Sequence, residues 1–397
     1  MPRFIDKEVF LQSLLAFTFD IGGIVSGRII LLFLPLFESS PWILALYPPI
    51  LSTRGNIGGV FSGKLSTMLH IGEVEPRLRQ NTMEFYSLIW ATLFLSFTST
   101  AGSGLIAFMV NYFFGNAVLD HLFLYVVIPP VTSLFAIAVS IPFVSYIGVT
   151  AFRKGLDPSI LLYPAMSTID DILITVCYAL VVTVTLLPGG LFAILSMAAV
   201  MCILFLHILV RRRVEKLFKR TIVEGGSMIL LSSLLGILAG VGLVGLRDEI
   251  ERKPSVLMLY PALIDTLGDI GSILGTMQTT KLALGYTHSF IVTLKTTLAD
   301  LVSVEVAAAL IHLVFAFVTF FMAGVTSLSS ELYILLKIAL MSNLLSFMFI
   351  SVLSLLVATQ TFKRGLDPDN FVIPAVTSVS DVGATISLYA TLVILGV

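Results

Sequence analysis

Charge is scarce in this chain. Lys, Arg, Asp and Glu make up 12% of its 397 residues, about half the usual share of a soluble protein. With 23 basic and 24 acidic residues, it cannot coat the about two or three soluble domains that such a length would form. Water-soluble enzymes, nucleic-acid binders and disordered proteins are excluded on that ground. A formal net charge of −1 leaves no basic footprint for nucleic acid. Cysteine is almost absent, and Cys177 and Cys202 lie in apolar runs that suggest neither a disulfide framework nor a metal knuckle. The histidines, at 70, 121, 207, 288 and 312, include no i, i+4 pair, which argues against a zinc site. The first ten residues carry balanced charge and no small-residue cleavage site. They read as a tail before a retained membrane helix.

Apolar length is what abounds. Hydrophobic residues make up 57% of the chain and its mean hydropathy is +1.03. A helix needs about 20 apolar residues to cross a bilayer. Eleven segments qualify: 10–34, 42–72, 83–110, 121–151, 158–187, 190–210, 224–246, 255–284, 289–323, 333–361 and 369–396. The fold class is therefore an all-α membrane protein of about eleven transmembrane helices, with lipid as its first partner. An odd number of crossings puts the termini on opposite sides. With the N-terminus inside, the inner loops hold 15 Lys and Arg against 3 outside, Arg247, Arg252 and Lys253. The positive-inside rule then places the N-terminus in the cytoplasm and the C-terminus outside a cell membrane. The stretch RRRVEKLFKR (211–220) reads as a topology anchor, and Trp42 and Trp90 as interfacial belt residues.

The chain repeats itself. Residues 152–171 and 362–381 share eight of twenty positions at an offset of 210, and residues 47–72 and 260–285 share nine of twenty-six at an offset of 213. The expected organisation is a five-helix repeat over 1–188, a linking helix over 189–212 and a second five-helix repeat over 213–397. The odd linking helix gives both repeats the same orientation. They form a parallel pseudo-dimer about an axis along the membrane normal, so that one chain can act alone.

Acids within membrane helices are functional candidates. The fifth helix of each repeat places Pro164, Ser167, Thr168 and Asp171, or Pro374, Thr377, Ser378 and Asp381, at i, i+3, i+4, i+7 on one face. Each proline is expected to free a backbone carbonyl four residues earlier, on Ile160 or Asn370. Two hydroxyls, a carboxylate and a carbonyl are oxygen ligands, which hard cations such as Mg²⁺ and Ca²⁺ prefer. Asp170 stands beside Asp171. The second helices carry RGNIGG (54–59) and LGDIGS (267–272), aligning Asn56 with Asp269, and Asp265 lies one turn before Asp269. Their glycines read as packing sites. GLDP at 155–158 and 365–368 reads as a helix stop and restart: Gly ends one helix, Asp caps the next and Pro opens it. Other ionisable residues within the spans are Asp20, Arg28, Arg54, Lys64, Lys295, Asp300 and Glu305, and a pairing of Arg54 with Asp20 is one possibility.

These residues resemble the MgtE-type magnesium channels and their relatives in solute carrier family 41. The match lies in GLDPDNFVIPAVTSVSDVG (365–383) with Tyr389 beyond, in GLDPSILLYPAMSTIDD (155–171) with Tyr178, and in RGNIGGVFSGKLSTMLHIG (54–72). The resemblance implies transport of a divalent cation, magnesium first among them, as the carried ion and not as a resident cofactor. It implies a path lined by Asp171 and Asp381, with Asn56 and Asp269 beside them. Departures are the aspartate in place of asparagine at 269, cations at Arg54 and Lys64 in the first repeat only, and no glycine after Asp171. Two rival readings differ in what they require. A cation-coupled transporter of a small organic solute would often have inverted repeats. An intramembrane aspartyl protease is suggested by PAL and LGD in 260–269, but their order is wrong, Leu267 replaces a glycine and no Tyr-Asp occurs. No enzymatic activity is expected.

Overall fold

The computed structural model describes residues 5–22, 29, 33, 36, 40–113, 117–212, 215–245, 254–286, 297–322 and 330–395. Arg28, Lys295 and the outer-loop cations Arg247, Arg252 and Lys253 lie outside them. The regular structure of the described residues is all helical, without strands. In chain order the helices are α1 (Lys7–Phe17), α2 (Pro41–His70), α3 (Met83–Phe113), α4 (Leu122–Arg153), α5 (Pro158–Leu186), α6 (Gly190–Arg212), α7 (Lys216–Arg220), α8 (Gly226–Gly245), α9 (Pro254–Ala283), α10 (Leu298–Met322), α11 (Ser330–Lys363) and α12 (Val372–Leu395). A 3₁₀ turn, Thr18–Asp20, follows α1, and a π turn, Thr221–Gly225, joins α7 to α8.

Seven helices among the described residues are long and apolar enough to cross a membrane. They correspond to seven of the eleven expected spans. Of the other four, 10–34 and 224–246 run partly outside the described residues. The remaining two are α2 and α9, each of 30 residues. At about 1.5 Å per residue both are long enough to cross, but they carry the polar motifs.

The two glycine-rich helices form the centre. Helix α2 packs on α5 and α9 on α12, each within its own repeat. Across the middle, α2 meets α12, α9 meets α5, and α2 meets α9. The glycines allow the close approach: a Cβ on Gly58 would stand 2.9 Å from the Met166 side chain, and one on Gly271 2.0 Å from Val376. Met166 and Val376 are themselves equivalent at the 210 offset. The first helices cross over: α1 packs on α10 of the second repeat, and α8 on α3 of the first. Helix α6 lies outside this core against α3, α4 and α5, with Phe192 and Ile203 exposed to the lipid side.

Both GLDP loops end and restart a helix as their sequence suggests. Gly155 and Gly365 take φ of +73° and +72°, the left-handed region that glycine enters without strain. Asp157 accepts from the Ser159 amide at 2.8 Å, and Asp367 from the Asp369 amide at 3.2 Å. One expectation is corrected at Pro374. It falls in the first turn of α12, after a 3₁₀ turn at Pro368–Asn370. It therefore opens the helix and frees no mid-helix carbonyl, whereas Pro164 lies inside α5. Trp42 is likewise no belt residue. It is buried in the core of the first repeat.

Candidate cation site

Five carboxylates converge on the middle of the bundle. Asp171 and Asp381 come from the fifth helices, Asp265 and Asp269 from α9, and Asp20 from the 3₁₀ turn after α1. Asp171 lies within electrostatic reach of Asp20 and Asp381, and Asp265 of all three. Asp269 adjoins Asp20 and senses Asp265 and Asp171. Asp20 and Asp269 are buried, whereas Asp171, Asp265 and Asp381 are half-buried. Asp20 Oδ2 accepts from Thr266 Oγ1 at 2.8 Å. Both Asp269 oxygens are enclosed, and the side chain that meets them is another carboxyl, Asp20. Tyr163 stands among Asp171, Asp265, Asp269 and Asp381. Buried carboxylates without compensating charge are costly in a low-dielectric interior. A cation is what such an arrangement attracts.

No three His, Cys, Asp or Glu side chains among the described residues form a cage for a bare ion. A dication that keeps part of its hydration needs only one or two carboxylates.

The residue stretches 47–181 and 260–391 both match the profile of the MgtE divalent cation transporter family. Together they cover two thirds of the chain. The chain belongs to this family.

No curated protein matches the MgtE-type transporter described here. Among solved structures, a eukaryotic MATE transporter, AtDTX14, aligns with 99% of this chain and 94% of its own at 13% identity and a TM-score of 0.35. A MATE protein in complex with MaD3S aligns over 99% of both chains at 11% identity and a TM-score of 0.37. So slight a likeness bears on neither fold nor substrate.

In the MgtE-type transporter the other predicted ligands are engaged within the protein. Asp170 Oδ1 accepts from Arg54 Nη2 at 2.9 Å, and the same nitrogen donates to Ser140 Oγ at 2.6 Å. Arg54 therefore pairs with Asp170, whereas Asp20 bonds Thr266. Asn56 Oδ1 accepts from Thr377 Oγ1 at 2.8 Å, and Asn56 Nδ2 reaches Ser378 Oγ at 3.5 Å. These three side chains join α2 to α12 across the repeats. Thr168 Oγ1 donates to the Phe19 carbonyl at 2.9 Å, which fixes the turn carrying Asp20. Thr168, Thr377, Ser378 and Asn56 thus position helices around the acids. Asp20 is legible in the sequence as an intramembrane acid, but no repeat partner marks it as part of this group. Tyr163 gave no signal at all, since its equivalent is Ile373.

A second polar zone lies around the second GLDP loop. Lys64 on α2 forms an ion pair with Asp367 of the second GLDP loop. Burial acts to raise the Asp367 carboxyl, but the Lys64 ammonium and the Arg220 guanidinium hold it below the usual carboxylate range. Glu224 Oε2 accepts from the Asp367 amide and from Asn370 Nδ2, both at 3.0 Å. Arg220 donates to Glu224 Oε1 at 2.9 Å and to the Gly365 carbonyl at 2.6 Å. The basic stretch is therefore more than a topology anchor, because its last arginine holds the loop. Beside this network lies a cavity of about 590 Å³, lined by Lys64, Thr67, Thr279, Asp367 and Asp369 among others.

Proposed function

We propose that this MgtE-type transporter carries divalent cations, Mg²⁺ first among them, along a path between the two repeats. The observation that carries the reading is the mid-membrane group of Asp20, Asp171, Asp265, Asp269 and Asp381. Helices of both repeats supply it, and Arg54, a buried cation of the second helix, is committed to Asp170. The acids attract a hydrated dication and replace part of its outer hydration, so the protein's work is electrostatic. Neutral Asn56, Thr168, Thr377 and Ser378 hold the helices in register around them.

The repeats span 1–188 and 213–397 in this reading, joined by the helix of 189–212, and are parallel about an axis along the membrane normal. The twofold family match and the reciprocal α1–α10 and α8–α3 contacts support it. The N-terminus faces the cytoplasm and the C-terminus the outside of the cell membrane, from the distribution of Lys and Arg. One chain supplies both halves of the path.

The test is flux of Mg²⁺ into liposomes. Asp171→Asn and Asp381→Asn should each lower uptake at least tenfold while the protein still folds, because a charge is lost from a dication site. Normal uptake in both variants would place the path elsewhere.

A further inference from the structure

Away from the five acids, the second repeat encloses another carboxyl. Glu305 on α10 faces Asn343 on α11, and Asn343 Nδ2 donates to Glu305 Oε1 at 3.0 Å. The remaining oxygens of the pair, Glu305 Oε2 and Asn343 Oδ1, are both enclosed and both without a hydrogen-bond partner among the described residues. Asn343 is 1% exposed. An amide oxygen only accepts, and so does an ionised carboxylate. Each orphan oxygen therefore needs a donor, and leaving them unmatched is costly in the membrane interior. One hydrogen answers both. Placed on Oε2 and directed at Oδ1, it closes the ring of two hydrogen bonds that a carboxylic acid and an amide form together.

No neighbouring charge supplies an alternative. The helices packed on α10 are α1, α9 and α11. The start of α1 brings Asp6, Lys7 and Glu8, α9 brings Asp265, Asp269 and Lys281, and α11 brings Glu331, Lys337 and Lys363. Lys281 is paired with Asp300 of α10 itself, and Lys337 lies over the Tyr333 ring at 4.3 Å. Among the described residues no cation forms an ion pair with Glu305. His312, two turns further along α10, bonds the Ala308 carbonyl through Nδ1 at 2.7 Å. The first repeat has no such site: Ser133, the equivalent of Asn343, bonds Ser96 at 2.6 Å, hydroxyl to hydroxyl.

We propose that Glu305 and Asn343 form a proton-binding site, with the proton on Glu305 Oε2 and its hydrogen bond to Asn343 Oδ1. The proton comes from water and returns to it, and only the O–H bond forms or breaks. Its loss turns two acceptors towards each other and works to separate α10 from α11. Helix α1, which leads into Asp20, packs on α10, so loading of this site bears on the cation site through that contact. This last link rests on the function proposed above, whereas the proton site itself does not.

The experiment has two arms on the full-length protein. Infrared spectra of wild type and Glu305→Gln at neutral pH should differ by one protonated-carboxyl stretch, present only in the wild type. Asn343→Leu should keep that band and move it, because the hydrogen bond is gone. The proposal is overturned if Glu305→Gln leaves the carboxyl region unchanged. Should that variant fail to fold, an unshifted band in Asn343→Leu overturns it equally. In the second arm, Mg²⁺ flux in liposomes is followed against pH. Wild-type flux should vary several-fold with pH, and Glu305→Gln should flatten that profile. A Glu305→Gln profile that tracks the wild type sinks the link to transport. Absence of Mg²⁺ flux in both proteins counts against the transport reading, while the infrared arm still decides the proton site.

Discussion

The two repeats share a frame and differ in charge. At the offset that aligns the second helices, Arg54 faces Leu267, Asn56 faces Asp269 and Lys64 faces Met277. At the offset that aligns the fifth, Asp170 faces Ser380 and Asp369 faces Ser159. The first repeat buries an ion pair, Arg54–Asp170, where the second has a leucine and a serine. The second repeat places an acid, Asp269, where the first has the amide of Asn56. The difference teaches that the repeated sequence keeps its glycines and GLDP loops while its charges differ, which makes the proposed site electrostatically lopsided.

Making one half imitate the other is the way to break this comparison. Arg54→Leu alone should destabilise the protein by about 3–5 kcal/mol, because Asp170 is left as an unpaired buried charge. Arg54→Leu with Asp170→Ser, which copies the second repeat, should recover most of that. Chemical unfolding in detergent measures both, and a double variant no more stable than the single would mean that the pair does more than neutralise itself.

Packing at the aligned glycines comes next. Gly271→Ala should cost about 1–3 kcal/mol by overpacking against Val376. Gly268→Ala meets only Thr377 at 3.7 Å, an ordinary contact, and should cost less. Melting midpoints of the two variants compare them directly.

The asymmetry at the site sharpens with Asp269→Asn, which makes the second repeat read like the first. Divalent affinity should fall several-fold in a Mg²⁺ titration by calorimetry. Asn56→Ala removes a neutral oxygen bonded to Thr377 and should cost about 1 kcal/mol. Losses of equal size would show that the repeats contribute alike.

The smallest expected effect is at the second GLDP loop. Lys64→Met, the residue of the second repeat, should release the loop of Asp367. Thr67→Cys should then react faster with a charged thiol reagent. Asp367 is held below its ordinary range, so the ion pair is at full strength above about pH 4. It weakens only as pH falls through the lower value of the folded state. Unchanged reactivity in Lys64→Met at neutral pH would show that Lys64 does not close the cavity.

Much of this was legible in the residues themselves. Scarce charge and long apolar runs required a helical membrane protein, since lipid offers the backbone no hydrogen bonds. The two motif pairs exposed the duplication, and heptad-like spacing in 164–171 and 374–381 marked Asp171 and Asp381. GLDP was readable as a helix boundary because caps are local chemistry.

Partnerships between helices were not readable. Asp170 and Asp171 are adjacent and chemically identical, yet only Asp170 meets Arg54. Which of them does so depends on how α5 is turned against α2, and that is set by glycine contacts at Gly58 and Met166. Asp20 joined the acids because α1 crosses to the second repeat and ends in a 3₁₀ turn. Asn56, Thr377 and Ser378 bond one another because α2 and α12 meet across the repeats. Sequence determined which groups must find partners in the membrane. Tertiary structure alone decided which partners they found, because charge and hydrogen bonding act between side chains that lie hundreds of residues apart in the chain.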